Sequence, residues 1–187
     1  MYRDFATLVS YPGPDLFQAL DATTQALAHE FPESAARLEK FRDSTAPLTN
    51  GALEEMYIRT FEMRAESALY VGHQIFGEDW RRGIFMAGLR ERYRALGISE
   101  GLELPDHLST VLRCLEVQEL GQEKDELIGD CIIPAVRKML QAIEGESPYR
   151  HVLDALLLCL PLPLDSEPEL EDISCRPSSS SPFPILR

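Results

Sequence analysis

The sequence predicts an all-α fold, a single-domain helical bundle of about seven to nine helices followed by a mobile C-terminal tail. Three observations carry this. Apolar residues recur at the three- and four-residue spacing that stacks side chains on one helix face. No segment sustains the two-residue alternation of a half-buried strand, so sheet content should be near nil. No internal repeat period is visible, and 187 residues with 44% hydrophobic content suffice for one sizeable core.

The elements follow in order. Phe5, Leu8 and Val9 share one side of a short helix over residues 4–10, which Tyr11-Pro12 must end because proline disfavours helical geometry in the residue before it. Pro14 suits the first position of a second helix, whose face of Leu16, Phe17, Leu20 and Leu27 runs to about Phe31. Pro32 and Glu33 open a third, anchored by Leu38 and Phe41 and fading by Pro47. Thr49-Asn50-Gly51 reads as a turn, after which Leu53, Met56, Tyr57 and Phe61 form a fourth stripe. Residues 62–77 are irregular and support only a loop with a helical turn.

The centre of the chain is a joint between two helices. Phe85, Leu89 and Tyr93 line the first, and Gly97 supplies its left-handed end. The chain crosses to Pro105, and Asp106 is placed to cap a second helix carrying Leu108, Val111, Leu112 and Leu115. Beyond it, a long face from Leu127 to Ile143 is interrupted by Pro134, which should kink or split it. Ser147 is a fitting N-cap and Pro148 a fitting first residue for the last helix, with Val152, Leu153, Leu156 and Leu160 on its packed side. Pro161 and Pro163 end it, which sets the domain at residues 1–163. Residues 164–187 are rich in Pro, Ser and acids, and lack the apolar area needed to offset their ordering entropy.

The formal charge of −13, from 18 basic and 31 acidic side chains, opposes binding to phosphate backbones and to anionic membranes. Nucleic acid is therefore excluded as an expected partner. Cys114, Cys131, Cys159 and Cys175 show no C-x-x-C pair and read as free thiols; with no secretory signal or bilayer-length apolar run, a reducing cytoplasm is the expected location. P-loop, dinucleotide, zinc-protease and hydrolase-elbow motifs are all missing. His29, His73, His107 and His151 lack ligand spacing, so neither a metal nor another cofactor is expected.

Two polar features stand out. Asp106-His107 is either a capped helix start or a polar tip that reads a ligand, and the spacing favours the cap. Arg81 and Arg82 sit in a helix first turn against its dipole, which calls for a carboxylate partner or a binding role for at least one of them. Met56, Tyr57, Phe61, Phe85, Met86 and Tyr93 are core residues unless an unfilled groove exposes them to a peptide.

The ordered set Leu8-Val9-Ser10-Tyr11-Pro12, Tyr57-Ile58-Arg59-Thr60-Phe61-Glu62, Arg82-Gly83, Leu104-Pro105-Asp106-His107-Leu108 and Ser147-Pro148-Tyr149 resembles the redox-enzyme maturation chaperones of the TorD/NarJ type. The nitrate reductase delta-subunit branch is the closer match within it. The resemblance spans roughly residues 5–160 and implies an all-helical cytoplasmic chaperone, not an enzyme. Its partner would be the N-terminal peptide, a signal or its remnant, of a molybdenum-containing oxidoreductase's catalytic subunit. Holding that peptide would keep the subunit open for molybdopterin insertion and delay membrane docking or export. The same resemblance implies a peptide site drawn from Tyr57, Phe61, Glu62, Arg82, Tyr93, Asp106, His107 and Leu108, on a monomer or weak homodimer. Three positions depart from the family pattern: Ser109 stands where a proline is common, Arg113 where a glutamate is expected, and Glu62, a milder change that keeps the carboxylate, where an aspartate is usual. Against this stand a small helical enzyme or cofactor carrier using Asp106 and His107, and an acidic regulatory adaptor.

Overall fold

Nearly every predicted stripe is a buried helix face in the computed structural model, which describes residues 1–99, 101–119 and 121–161. The helices are α1 (Tyr2–Leu8), α2 (Leu16–Leu27), α3 (Pro32–Thr45), α4 (Asn50–Tyr57), α5 (Val71–Phe76), α6 (Trp80–Leu96), α7 (Leu108–Val117), α8 (Gln122–Glu126), α9 (Ile133–Ala142) and α10 (Tyr149–Cys159). A π-helical turn, Leu127–Ile132, joins α8 to α9 in one interrupted rod, so among the described residues nine helices build an all-α domain. Among the described residues no strand occurs, and Tyr70 and His107 form an isolated bridge. The expected tail and Cys175 lie outside the described residues.

Packing follows from the stripes. Phe5 and Leu8 of α1 meet α7 and α2, while α3 lies between α2 and α10. Ser34, near the start of α3, donates to the Ala155 carbonyl at 2.8 Å, and Arg37 pairs with Asp154, so α3 and α10 run antiparallel. Burying each Leu or Phe of this core contributes roughly 1.5–3 kcal/mol before ordering costs.

Four local expectations change. The second helix begins at Leu16, not Pro14, and ends at Leu27. Thr49 is the N-cap of α4, accepting from Ala52 N–H at 3.3 Å, so Asn50 and Gly51 belong to the helix and not to a turn. Residues 62–77 hold more order than a loop: a 3₁₀ turn at Ala65–Ser67 and the whole of α5. Ser147 does not cap α10; its hydroxyl pairs with Thr60 Oγ1 at 2.8 Å, a partner 87 positions away that no local pattern reveals.

Two interruptions have physical causes. Pro134 lacks the N–H that would reach Asp130, and the π turn immediately before it absorbs the missing rung. A second π turn, Ile58–Glu62, follows α4, closed by Met63 N–H on the Ile58 carbonyl at 3.0 Å. Ser67 takes the displaced Thr60 carbonyl at 2.6 Å, so the wider turn leaves no orphan acceptor there.

Candidate functional site

The helix joint is a closed polar corner. Asp79 caps α6 through Arg81 N–H at 2.9 Å, and its carboxylate also holds the Arg81 side chain. At the other end Gly97 adopts φ +67° and Ile98 N–H closes on the Tyr93 carbonyl at 2.8 Å, the expected left-handed stop. Arg82 is thereby aimed across the gap. Its Nε and Nη2 donate to Asp106 Oδ2 and Oδ1 at 2.8 and 3.3 Å, a forked pair on a fully buried carboxylate.

Asp106 is therefore not the helix cap. That role falls to His107, whose Nδ1 accepts from Ser109 N–H at 3.3 Å. Burial, the largest influence, and Arg113 lower the imidazole pKa, while Glu103 and Asp106 work against them; the ring is neutral with its proton on Nε2. Arg113 donates to Ser109 Oγ at 3.2 Å and Thr110 Oγ1 at 3.3 Å, so Arg113 and Ser109 are bonded to each other.

Backbone bonds lock this corner to the segment before α5. Val71 N–H donates to the Asp106 carbonyl and Leu108 N–H to the Leu69 carbonyl, both at 2.7 Å, while Tyr93 hydroxyl donates to the Pro105 carbonyl at 2.7 Å. Gly72 makes the approach possible: a Cβ there would lie 2.7 Å from Asp106 Oδ2 and 3.0 Å from Phe85 Cδ1. Tyr70 stands edge-on to His107 with Arg82 over its face, and donates to Glu103 at 3.0 Å. Burial first, then that bond, push its phenol up to about 12.

Arg82, Tyr93, Asp106, His107 and Leu108 thus share one corner. Tyr57 and Phe61 form a second group, an edge-to-face cluster with Tyr149, to which Phe41 and Tyr11 add a ring on either side. Burial and then Glu103 hold the Tyr57 phenol above its usual range. Tyr57 and Phe61 are each 3% exposed, whereas Glu62 at the end of the π turn is open to solvent.

On the other face of α4 and its π turn lies an open groove of about 690 Å³. Leu48, Ala52, Met56 and Met63 line one side, Ala142 and Ile143 the other, with paired Glu55–Arg59 and Arg64–Glu144 on the rim. Met56 lies in α4, and Met63 is the residue whose N–H closes the π turn. Met56 and Ile143 are visible in the sequence as members of apolar faces, whereas the roles of Tyr70, Gly72 and Glu103 left no such trace, because contacts across the fold create them. Among the described residues no group of three His, Cys, Asp or Glu is placed to hold a metal ion. Cys114, Cys131 and Cys159 are buried free thiols, and no described helix is long and apolar enough to cross a membrane.

No family model matches the chain. Over 163 residues it is 29% identical to a protein of Bacillus subtilis (strain 168) named probable nitrate reductase molybdenum cofactor assembly chaperone NarJ, an alignment covering 85% of this chain and 87% of that protein.

Proposed function

We propose that this chain is a non-enzymatic assembly chaperone for a molybdenum-containing oxidoreductase. It binds the N-terminal peptide of the catalytic subunit in the cytoplasm, before cofactor insertion and membrane docking or export. The observation that carries this reading is the groove of about 690 Å³ beside the π turn, in the size range of ligand pockets and with two methionines whose flexible side chains adapt to varied apolar peptides. The likeness to the Bacillus chaperone supports the class of client.

The expected site residues divide by exposure. Glu62 is exposed at the end of the π turn but does not line the groove, so its part would be to attract a basic peptide from outside it, while Tyr57 and Phe61 back the π turn from inside. Arg82, Tyr93, Asp106, His107 and Leu108 act as positioning residues that fix the joint between α6 and α7. The enzyme reading is weakened by burial of the Asp106 carboxylate, which Arg82 already occupies. In cells lacking this chain, the client's catalytic subunit should accumulate with substoichiometric molybdenum, and a plasmid copy should restore it. Full molybdenum content without the chain would contradict the proposal.

A further inference from the structure

Where the later turns of α3 pass the first turn of α10, the two helices leave an open cleft of about 590 Å³. Arg37 and Lys40 line it from α3, Arg150 and His151 from α10. Two carboxylates share it, Glu146 in the preceding turn and Asp154, which holds Arg37 at 3.7 Å. Three cations and an imidazole therefore face two acids, on a chain whose formal charge is −13.

Asp154 offsets Arg37, but the other two cationic groups have no ion-pair partner among the described residues. Arg150 Nη1 donates to the Leu140 and Ile143 carbonyls at 2.9 and 2.8 Å, which fixes the guanidinium but supplies no counter-charge. Lys40 meets no acceptor with its ammonium among the described residues, and His151 Nδ1 is buried with no hydrogen-bond partner. Burial, then Arg37, Lys40 and Arg150, hold the His151 imidazole below its usual range despite Asp154. Three cations against two acids leave the cleft with one net positive charge.

We propose that this cleft binds a small phosphate-bearing anion between Arg37 and Lys40 of α3 and Arg150 and His151 of α10. Donors stand on two walls, so the ligand must offer oxygens in several directions; a tetrahedral phosphate does this and a planar carboxylate serves one wall only. The volume exceeds that of one phosphate and leaves room for an organic portion. The cleft adjoins the peptide groove at Ser147, but Arg37, Lys40 and His151 line the cleft and not the groove, so a change at Lys40 tests the cleft alone.

The test is a titration of the full chain with inorganic pyrophosphate at low salt, read by imidazole NMR, with sulfate as control. The His151 signal should move saturably and its pKa should rise, while the His29 and His73 signals stay in place. Lys40→Gln, at an exposed residue without a protein partner, should weaken binding about tenfold with an unchanged melting temperature, and Lys40→Arg should restore it. A His151 signal that stays still at millimolar pyrophosphate would overturn the proposal. So would an identical response to sulfate, or unaltered binding in Lys40→Gln.

Discussion

Arg82 donates two hydrogen bonds to an Asp106 carboxylate that solvent does not reach, so removing the guanidinium strands a buried charge. Arg82→Met should cost about 3 kcal/mol, and adding Asp106→Leu should recover most of it, a cycle read by denaturant unfolding. His107 gives a second test. Its folded pKa lies below the ordinary 6.5, so within that window the unfolded chain binds more protons and stability falls as pH falls. The melting temperature should drop on acidification below about pH 6.5, and His107→Asn, which can still cap α7, should flatten that slope. An unchanged slope would assign the acid sensitivity to other groups. The sequence placed a polar pair at this corner but exchanged its roles, because Asp ahead of an apolar run has the form of a cap. Only the fold brings Arg82, 24 positions earlier, close enough to claim the carboxylate.

Helix α5 illustrates what periodicity misses. Six residues with a glycine in second place, Val71–Phe76, carry too few apolar positions to announce a helix, yet the Asp106 and Leu69 carbonyls tie its start to the corner. Gly72 is used there for close approach, not for an unusual φ. Gly72→Ala should therefore destabilise by about 1–3 kcal/mol through the clash with Asp106 and Phe85. Gly83→Ala, in α6 with open space around it, should stabilise by about 0.5–1 kcal/mol. Thermal melts that move both variants in the same direction would contradict this. Long stripes such as Phe85-Leu89-Tyr93, and the stop at Gly97, were legible because each is decided within a few residues. The π turn after α4 was not, since Ser67 and Ser147 support it from other segments.

At the scale of the whole molecule, the all-α class was readable from pattern alone, whereas the groove was not: its second wall, Ala142, Ile143, Glu144 and Ser147, comes from the end of α9 and the approach to α10, more than 70 positions from Met56. The central claim is that this groove receives the client's N-terminal peptide. Apolar burial should supply most of the affinity, with the acidic body speeding the encounter with a basic peptide, so dissociation constants near the micromolar range are expected. Asp106→Asn with His107→Gln keeps side-chain size but removes the carboxylate that Arg82 grips and the imidazole that caps α7, and should shift affinity only as far as it loosens the joint. The most direct measurement is calorimetry of the chain with peptides copied from the extreme N-termini of co-encoded molybdoenzyme subunits, for the native chain and for Met56→Glu with Met63→Glu, after both are shown to melt alike. Saturable binding that the double substitution weakens at least about tenfold is the predicted result; no heat with any such peptide, or equal binding by both proteins, would contradict it.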